Sequence, residues 1–143
     1  MKAPKVYIRD SGLLHALLGL GDQRMLEHHP KVGASWEGYA VEEVLKALHP
    51  DDAYYWATHN GAEIDLVLFK DGRRIGIECK RMDAPIVTPS MRVALTDLKL
   101  DELIVVYPGE RRYPLGERVE VVPLAELVTG NAGRGGRNGR FRI

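Results

Sequence analysis

Cysteine is almost absent. The 143-residue chain holds one, Cys79, so an internal disulfide framework is excluded, and the composition fits a reducing, cytoplasmic setting. No Cys/His cluster has the spacing of a zinc site. No apolar run approaches the roughly 20 residues that a membrane span needs, and MKAPKVYIRD lacks the apolar stretch of a signal peptide. No glycine-rich phosphate loop of the form G-x-x-x-x-G-K-[ST] occurs, and the isolated GLG at 19–21 stands in the wrong context. Net charge is absent too, with 20 basic residues against 20 acidic. Four of the basic residues, Arg134, Arg137, Arg140 and Arg142, lie in a tail that has no acid. Removing them leaves 16 basic residues against 20 acids, so the body stands at −4 and is no broadly basic nucleic-acid binder. Any contact with DNA then requires a local patch.

What is present is 45% hydrophobic residues, enough for one core in a chain of single-domain length. The informative stretch is His59 to Lys80, HNGAEIDLVLFKDGRRIGIECK. Asp71-Gly72 between two β-forming segments predicts a two-residue type I′ hairpin. Counting back from the turn, Lys70 faces Arg73, Phe69 faces Arg74, Val67 faces Gly76, Asp65 faces Glu78 and Glu63 faces Lys80. Alternation then puts Ile64, Leu66, Leu68, Ile75, Ile77 and Cys79 on one apolar side, with Glu63, Asp65, Glu78 and Lys80 on the other. Cys79 is thus a small core residue rather than a nucleophile. Directly opposed carboxylates weaken a sheet unless something neutralises them, and a hard divalent cation does so well. The competing reading is an exposed face whose charges are solvated.

The rest of the chain supplies the frame. KVYI (Lys5 to Ile8) reads as a strand, and Asp10 as the cap of a helix to about Leu18 with an apolar stripe of Leu13, Leu14, Leu17 and Leu18. His15 on that helix reads as structural. A short turn of helix spans Gln23 to His28, where the adjacent His28 and His29 point apart and share no site. Val32 to Leu48 is the longest helical pattern. With Glu37 at zero on its wheel, Val41, Val44 and Leu48 all fall within about 40°. This carboxylate therefore sits in the middle of the apolar face, which is costly unless it is paired or metal-bound. The alternative places Glu37 in the first turn, favouring the helix dipole. Ala53 to Thr58 is a strand in which Tyr55 and Trp56 alternate faces, one of them core. Thr88-Pro89 starts a helix to about Leu98 with Met91, Val93, Ala94, Leu95 and Leu98 on its apolar side. Glu102 to Tyr107 is a buried-type strand, Glu110 to Arg118 a charged loop, Val119 to Val122 a last strand and Leu124 to Val128 a final helix. The order is that of an α/β fold, a central mixed β-sheet flanked by helices. Residues 1–128 form the domain, and 129–143 a Gly/Arg-rich flexible tail that cannot bury a core.

An inward Glu37 on a helix, Asp65 in a strand and Glu78-Cys79-Lys80 in the next strand resemble the PD-(D/E)xK nuclease superfamily, which includes restriction endonucleases and archaeal Holliday junction resolvases. The superfamily pattern covers about Val32 to Val106, with Ile64 where proline often precedes the aspartate. A closer resemblance runs from Lys5 to Val128: KVYIRDSGLLHALLG, GASWEGYAVEEVL, YYWATHNGAEIDLVL and IGIECKR look like the C-terminal domain of unknown function in many bacterial and archaeal AAA+ ATPases, itself regarded as a PD-(D/E)xK relative. These resemblances imply a restriction-endonuclease-like core and Mg2+- or Mn2+-dependent DNA cleavage. Asp65 and Glu78 then ligate the metal, the Cys79 carbonyl is a further ligand, and Glu37 binds directly or through water. Lys80 orients or deprotonates the attacking water, and Arg81 contacts phosphate. An ATPase module as partner is implied as well, although this chain carries no ATPase loop of its own. The competing expectation is a catalytically silent domain that serves such a partner. A homodimer through an exposed sheet edge is a further expectation.

Overall fold

The computed structural model describes residues 10–130. The KVYI strand and the tail from Asn131 onward lie outside the described residues. The helices are α1 (Ser11–Leu17), α2 (Gln23–Glu27), α3 (Val32–Leu48), α4 (Pro89–Asp97) and α5 (Leu124–Val128). The strands are β1 (Asp52–Ala57), β2 (Glu63–Lys70), β3 (Arg73–Cys79), β4 (Glu102–Tyr107), β5 (Tyr113–Gly116) and β6 (Val119–Pro123). They form one mixed six-stranded sheet in the order β1-β2-β3-β4-β6-β5. β3, β4 and β6 run parallel, and the remaining pairings are antiparallel.

Local chemistry starts the helices where the residue types demand. Asp10 accepts the Leu13 N–H at 2.9 Å, Asp22 the Met25 N–H at 2.8 Å and Thr88 the Met91 N–H at 3.3 Å. Pro89 follows its cap at the first helical position, where its missing N–H costs nothing. In α3 the buried face holds Ala40, Val41, Val44 and Leu48, as the wheel predicts.

Both faces of the sheet are covered. Leu66, Leu68, Ile75, Ile77, Cys79, Ile104, Val106 and Val122 meet α3 and α5 on one side. Val67, Leu103, Val105, Val119 and Val121 meet Met91 and Ala94 of α4 on the other. β4 is buried along its whole length, as a central parallel strand covered on both faces should be.

Four expectations change. Ile64 packs with Val67 and α4, not with Leu66 and Leu68. The cause is an extra residue in β2: Tyr54 pairs with Val67 and Trp56 with Ile64, so three steps on β2 oppose two on β1. Such a bulge reverses the alternation beyond it. Second, the charged loop at 110–118 contains β5, which pairs with β6 at the sheet edge. Pro114 hides this strand in the sequence, yet an edge strand tolerates a residue without an N–H. Third, Val93 is exposed on α4. Fourth, the leucine stripe of α1 is not a core face among the described residues, since Leu13, Leu17 and Leu18 are exposed and Leu14 is half-buried. No helix among the described residues is long and apolar enough to cross a membrane.

Candidate active site at the open end of the hairpin

The β2–β3 turn sets the site's register. Asp71 and Gly72 both take positive φ, 50° and 75°, as a type I′ turn requires. Pairing follows as predicted, from Lys70–Arg73 through Phe69–Arg74 and Val67–Gly76 to Leu66–Ile77. There the ladder stops, and the expected backbone pairing of Asp65 with Glu78 is not among the Cα partners. The Asp65 carboxylate takes over, accepting the Cys79 N–H through Oδ2 at 2.9 Å. The bulge and this bond have the same consequence. The strands part, and a side chain rather than a carbonyl occupies the gap. On the far side of β3, the Lys80 N–H donates to the Val106 carbonyl at 2.8 Å, which fixes the lysine against β4.

The side chains then converge. Asp65 and Glu78 are each only 4% exposed. The Lys80 ammonium lies 2.6 Å from Glu78 Oε1, and Glu78 Oε2 is buried without a hydrogen-bond partner. Burial, and after it the charge of Asp65, pushes the Glu78 carboxyl up to about 6. Burial pulls the Lys80 ammonium down, but its bond to Glu78 and the charges of Glu78, Asp65 and Glu37 outweigh that and hold it above its ordinary value. Burial, then Asp65 and Glu78, raises the Cys79 thiol well above its usual range, and the side chain sits in the core. A thiol in that state is no nucleophile.

Glu37 stands at the rim. It is half-buried on α3, beyond the first turn, which holds no acid, so the helix-dipole placement is corrected. Its charge is felt at Lys80 and Cys79. Among the described residues, no three His, Cys, Asp or Glu side chains group closely enough to cage a metal as they are placed. The structure thus brings Asp65, Glu78 and Lys80 together, with Glu37 on α3 near enough for its charge to act on Lys80. The donor set still suits a hard cation. Mg2+ is usually held by one or two carboxylates and keeps several waters, and the unpartnered Glu78 Oε2 is an oxygen in want of such a partner.

Residues 32–127 match the family model described as Domain of unknown function (DUF4143). The chain belongs to this family. The DUF4143 match spans α3 to α5 and so contains Glu37, Asp65, Glu78 and Lys80, whereas α1 and α2 precede it. An uncharacterized protein of Mycobacterium bovis and one of Mycobacterium tuberculosis are each 49% identical to this DUF4143 chain over 128 residues, 90% of its length. The chain spans 29% of each of these relatives. No solved structure matches it.

Two features of this DUF4143 chain were not foreseen from the sequence. Glu102 is fully buried at the start of β4, where its Oε1 lies 2.9 Å from Arg73 Nη2. An acid opening an apolar run was the available signal, but the parallel register that seats it beside Arg73 is not local. The second is the polar pair His15–Ser35, with His15 Nε2 2.7 Å from Ser35 Oγ. It gives His15 the structural partner expected of it. His28 and His29 make only local contacts, to the Arg24 carbonyl and the Lys31 N–H.

Proposed function

We propose that this domain is a PD-(D/E)xK-type nuclease with a restriction-endonuclease-like core, hydrolysing phosphodiesters in DNA with Mg2+ or Mn2+. The observation that carries the reading is a convergence of buried ionisable groups. Two buried carboxylates, one of them with an unpartnered oxygen and ion-paired to Lys80, meet at the point where two strands part. Bulges recur next to active sites because they re-aim a side chain, and here the bulge flanks Asp65.

Asp65 and Glu78 would hold the cation, with the Cys79 carbonyl as a further ligand and Glu37 reaching it through water. When bound, the ion supplies Lewis acidity at the phosphate and lowers the pKa of its water. The chain's own residues do the rest. Asp65 keeps one oxygen on the Cys79 N–H, so its carboxylate has a fixed orientation. Lys80 is held as a cation, which suits it to orienting the attacking water and offsetting charge on the phosphate in the transition state rather than to taking a proton in the free protein. Main-chain bonding of Lys80 to β4 fixes where that charge is delivered.

The test is cleavage of branched, single-stranded and duplex DNA with Mn2+ or Mg2+, beside the Lys80→Ala variant. Metal-dependent cleavage lost in the variant is the expected result. Cleavage that persists unchanged in Lys80→Ala, or none with any substrate, sinks the reading. The acidic body favours a second reading, a silent domain that keeps this fold and serves an ATPase partner, itself inferred from resemblance. The exposed edge strand β1 offers a surface for a homodimer. In that second reading, Mn2+ produces no shift of the thermal midpoint in either the wild type or Asp65→Asn.

A further inference from the structure

A cavity of about 250 Å3 opens between α1, α2 and α3. His15, Leu26, Ser35, Trp36 and Tyr39 line it together with Arg81. It adjoins the acidic site through the chain itself, because Trp36 precedes Glu37 and Arg81 follows Lys80. The lining suits a flat, neutral ring with hydrogen-bonding edges. Trp36 and Tyr39 lie three residues apart on α3 and so share one side of that helix. Leu26 adds apolar surface, and the His15–Ser35 pair places polar atoms in the wall. Among the described residues the lining carries one permanent cation, Arg81, and one acid, Glu27, and so no surplus of positive charge to hold a phosphate inside. The volume falls below the roughly 300 Å3 at which drug-sized ligand sites begin, which leaves room for one ring system and none for a base pair.

We propose that this cavity receives an unpaired nucleobase of a single-stranded or branched nucleic acid, with the adjoining phosphate toward Arg81 and Lys80. Proteins hold unpaired or extruded bases by stacking them against aromatic and apolar side chains and bonding their edges, the chemistry this lining offers. The placement of the scissile bond rests on the nuclease reading, whereas base binding needs neither metal nor catalysis. Stacking also accounts for how an acidic body can engage a polyanion. Binding strength then comes from the ring and not from a field of lysines, so its dependence on salt is shallow.

The experiment is fluorescence titration of the full chain in EDTA, in a Trp56→Phe background so that Trp36 reports. Four ten-nucleotide probes are compared: single-stranded DNA, the same sequence as RNA, its blunt DNA duplex, and an abasic sugar-phosphate strand. We expect a single strand to quench Trp36 and to bind at least tenfold more tightly than the duplex and the abasic strand, the DNA and RNA arms showing which sugar is accepted. Tyr39→Ala should weaken that binding by about tenfold. Tyr39 is 44% exposed, so the variant should keep the wild-type melting midpoint. Equal binding of the duplex or the abasic strand, no binding of any probe, or single-strand binding unaffected by Tyr39→Ala overturns the proposal. Metal-dependent duplex cleavage without single-strand preference defeats the cavity alone, and strand binding in EDTA without cleavage in metal defeats the nuclease reading alone.

Discussion

At the closed end of the β2–β3 hairpin, Glu102 is buried with one oxygen 2.9 Å from Arg73. At the open end, Glu78 is buried with one oxygen 2.6 Å from Lys80. Burial raises the carboxyl pKa at both, and both carry buried oxygens without a hydrogen-bond partner. An unsatisfied carboxylate oxygen is therefore not enough to mark a site. What separates the two ends is the charge around them. Arg73 and Arg112 act on Glu102 against Glu120 and Asp101, so cations and anions are close to matched there. Around Glu78, Asp65 adds negative charge and Lys80 opposes it, and the charge of Glu37 acts on Lys80 as well. The closed end is an ion pair that fixes a register. The open end gathers buried carboxylates around a lysine where the strands part.

The largest expected effect lies at the open end. Lys80→Ala should lower Mn2+-dependent cleavage by about 10²–10³-fold, the usual loss when a transition-state charge stabiliser is removed, read from initial rates with the melting midpoint as a check on folding. Arg73→Ala should leave that chemistry intact and cost about 1–3 kcal/mol of stability in urea unfolding, because Glu102 stays buried without its ion-pair partner. Equal losses of cleavage in both variants would erase the distinction between the ends.

A smaller effect is pH-dependent. Glu78 has a folded value of about 6 against an ordinary 4.5, so the folded state binds more protons between these values. Its contribution to stability is full below about pH 4.5 and is lost as pH rises through about 6. The shift corresponds to at most about 2 kcal/mol. Denaturant unfolding in EDTA at pH 5 and 7.5 should show a steeper fall in the wild type than in Glu78→Gln, and parallel curves would remove the account of Glu78 as a carboxyl raised by burial and by Asp65. The smallest effect belongs to the turn. Gly72→Ala places a side chain at φ 75° and should cost about 1 kcal/mol without altering metal dependence.

The local rules carried far along this chain. Asp71-Gly72 gave the turn, and counting from it gave every pairing as far as Leu66–Ile77. Asp10 and Thr88-Pro89 marked helix starts, and the wheel on Val32–Leu48 identified the buried face. These succeed because turn geometry, capping and periodicity depend on residues within one turn or one strand. The same counting failed at Ile64, where one extra residue in β2 reversed the alternation, and nothing within β2 announces that β1 will pair across a bulge. It failed at β5, because Pro114 reads as loop until β6 lies beside it. It also treated the polar side of the hairpin as one face, although on that side Val67 packs in the cluster with α4, Gly76 lies against Leu100 and Leu103, and only the end stays acidic.

By itself, then, the sequence determined the helices, the hairpin register and the identity of the acidic and basic residues, all consequences of short-range chemistry. Tertiary structure alone decided that Asp65 leaves the ladder to hold the Cys79 N–H, that Glu37 stands at the rim and that Glu102 is neutralised by Arg73. It also decided that three helices enclose a cavity beside Arg81. Each of these depends on which distant segments pack together, since burial and charge balance are sums over neighbours that no single stretch of chain contains.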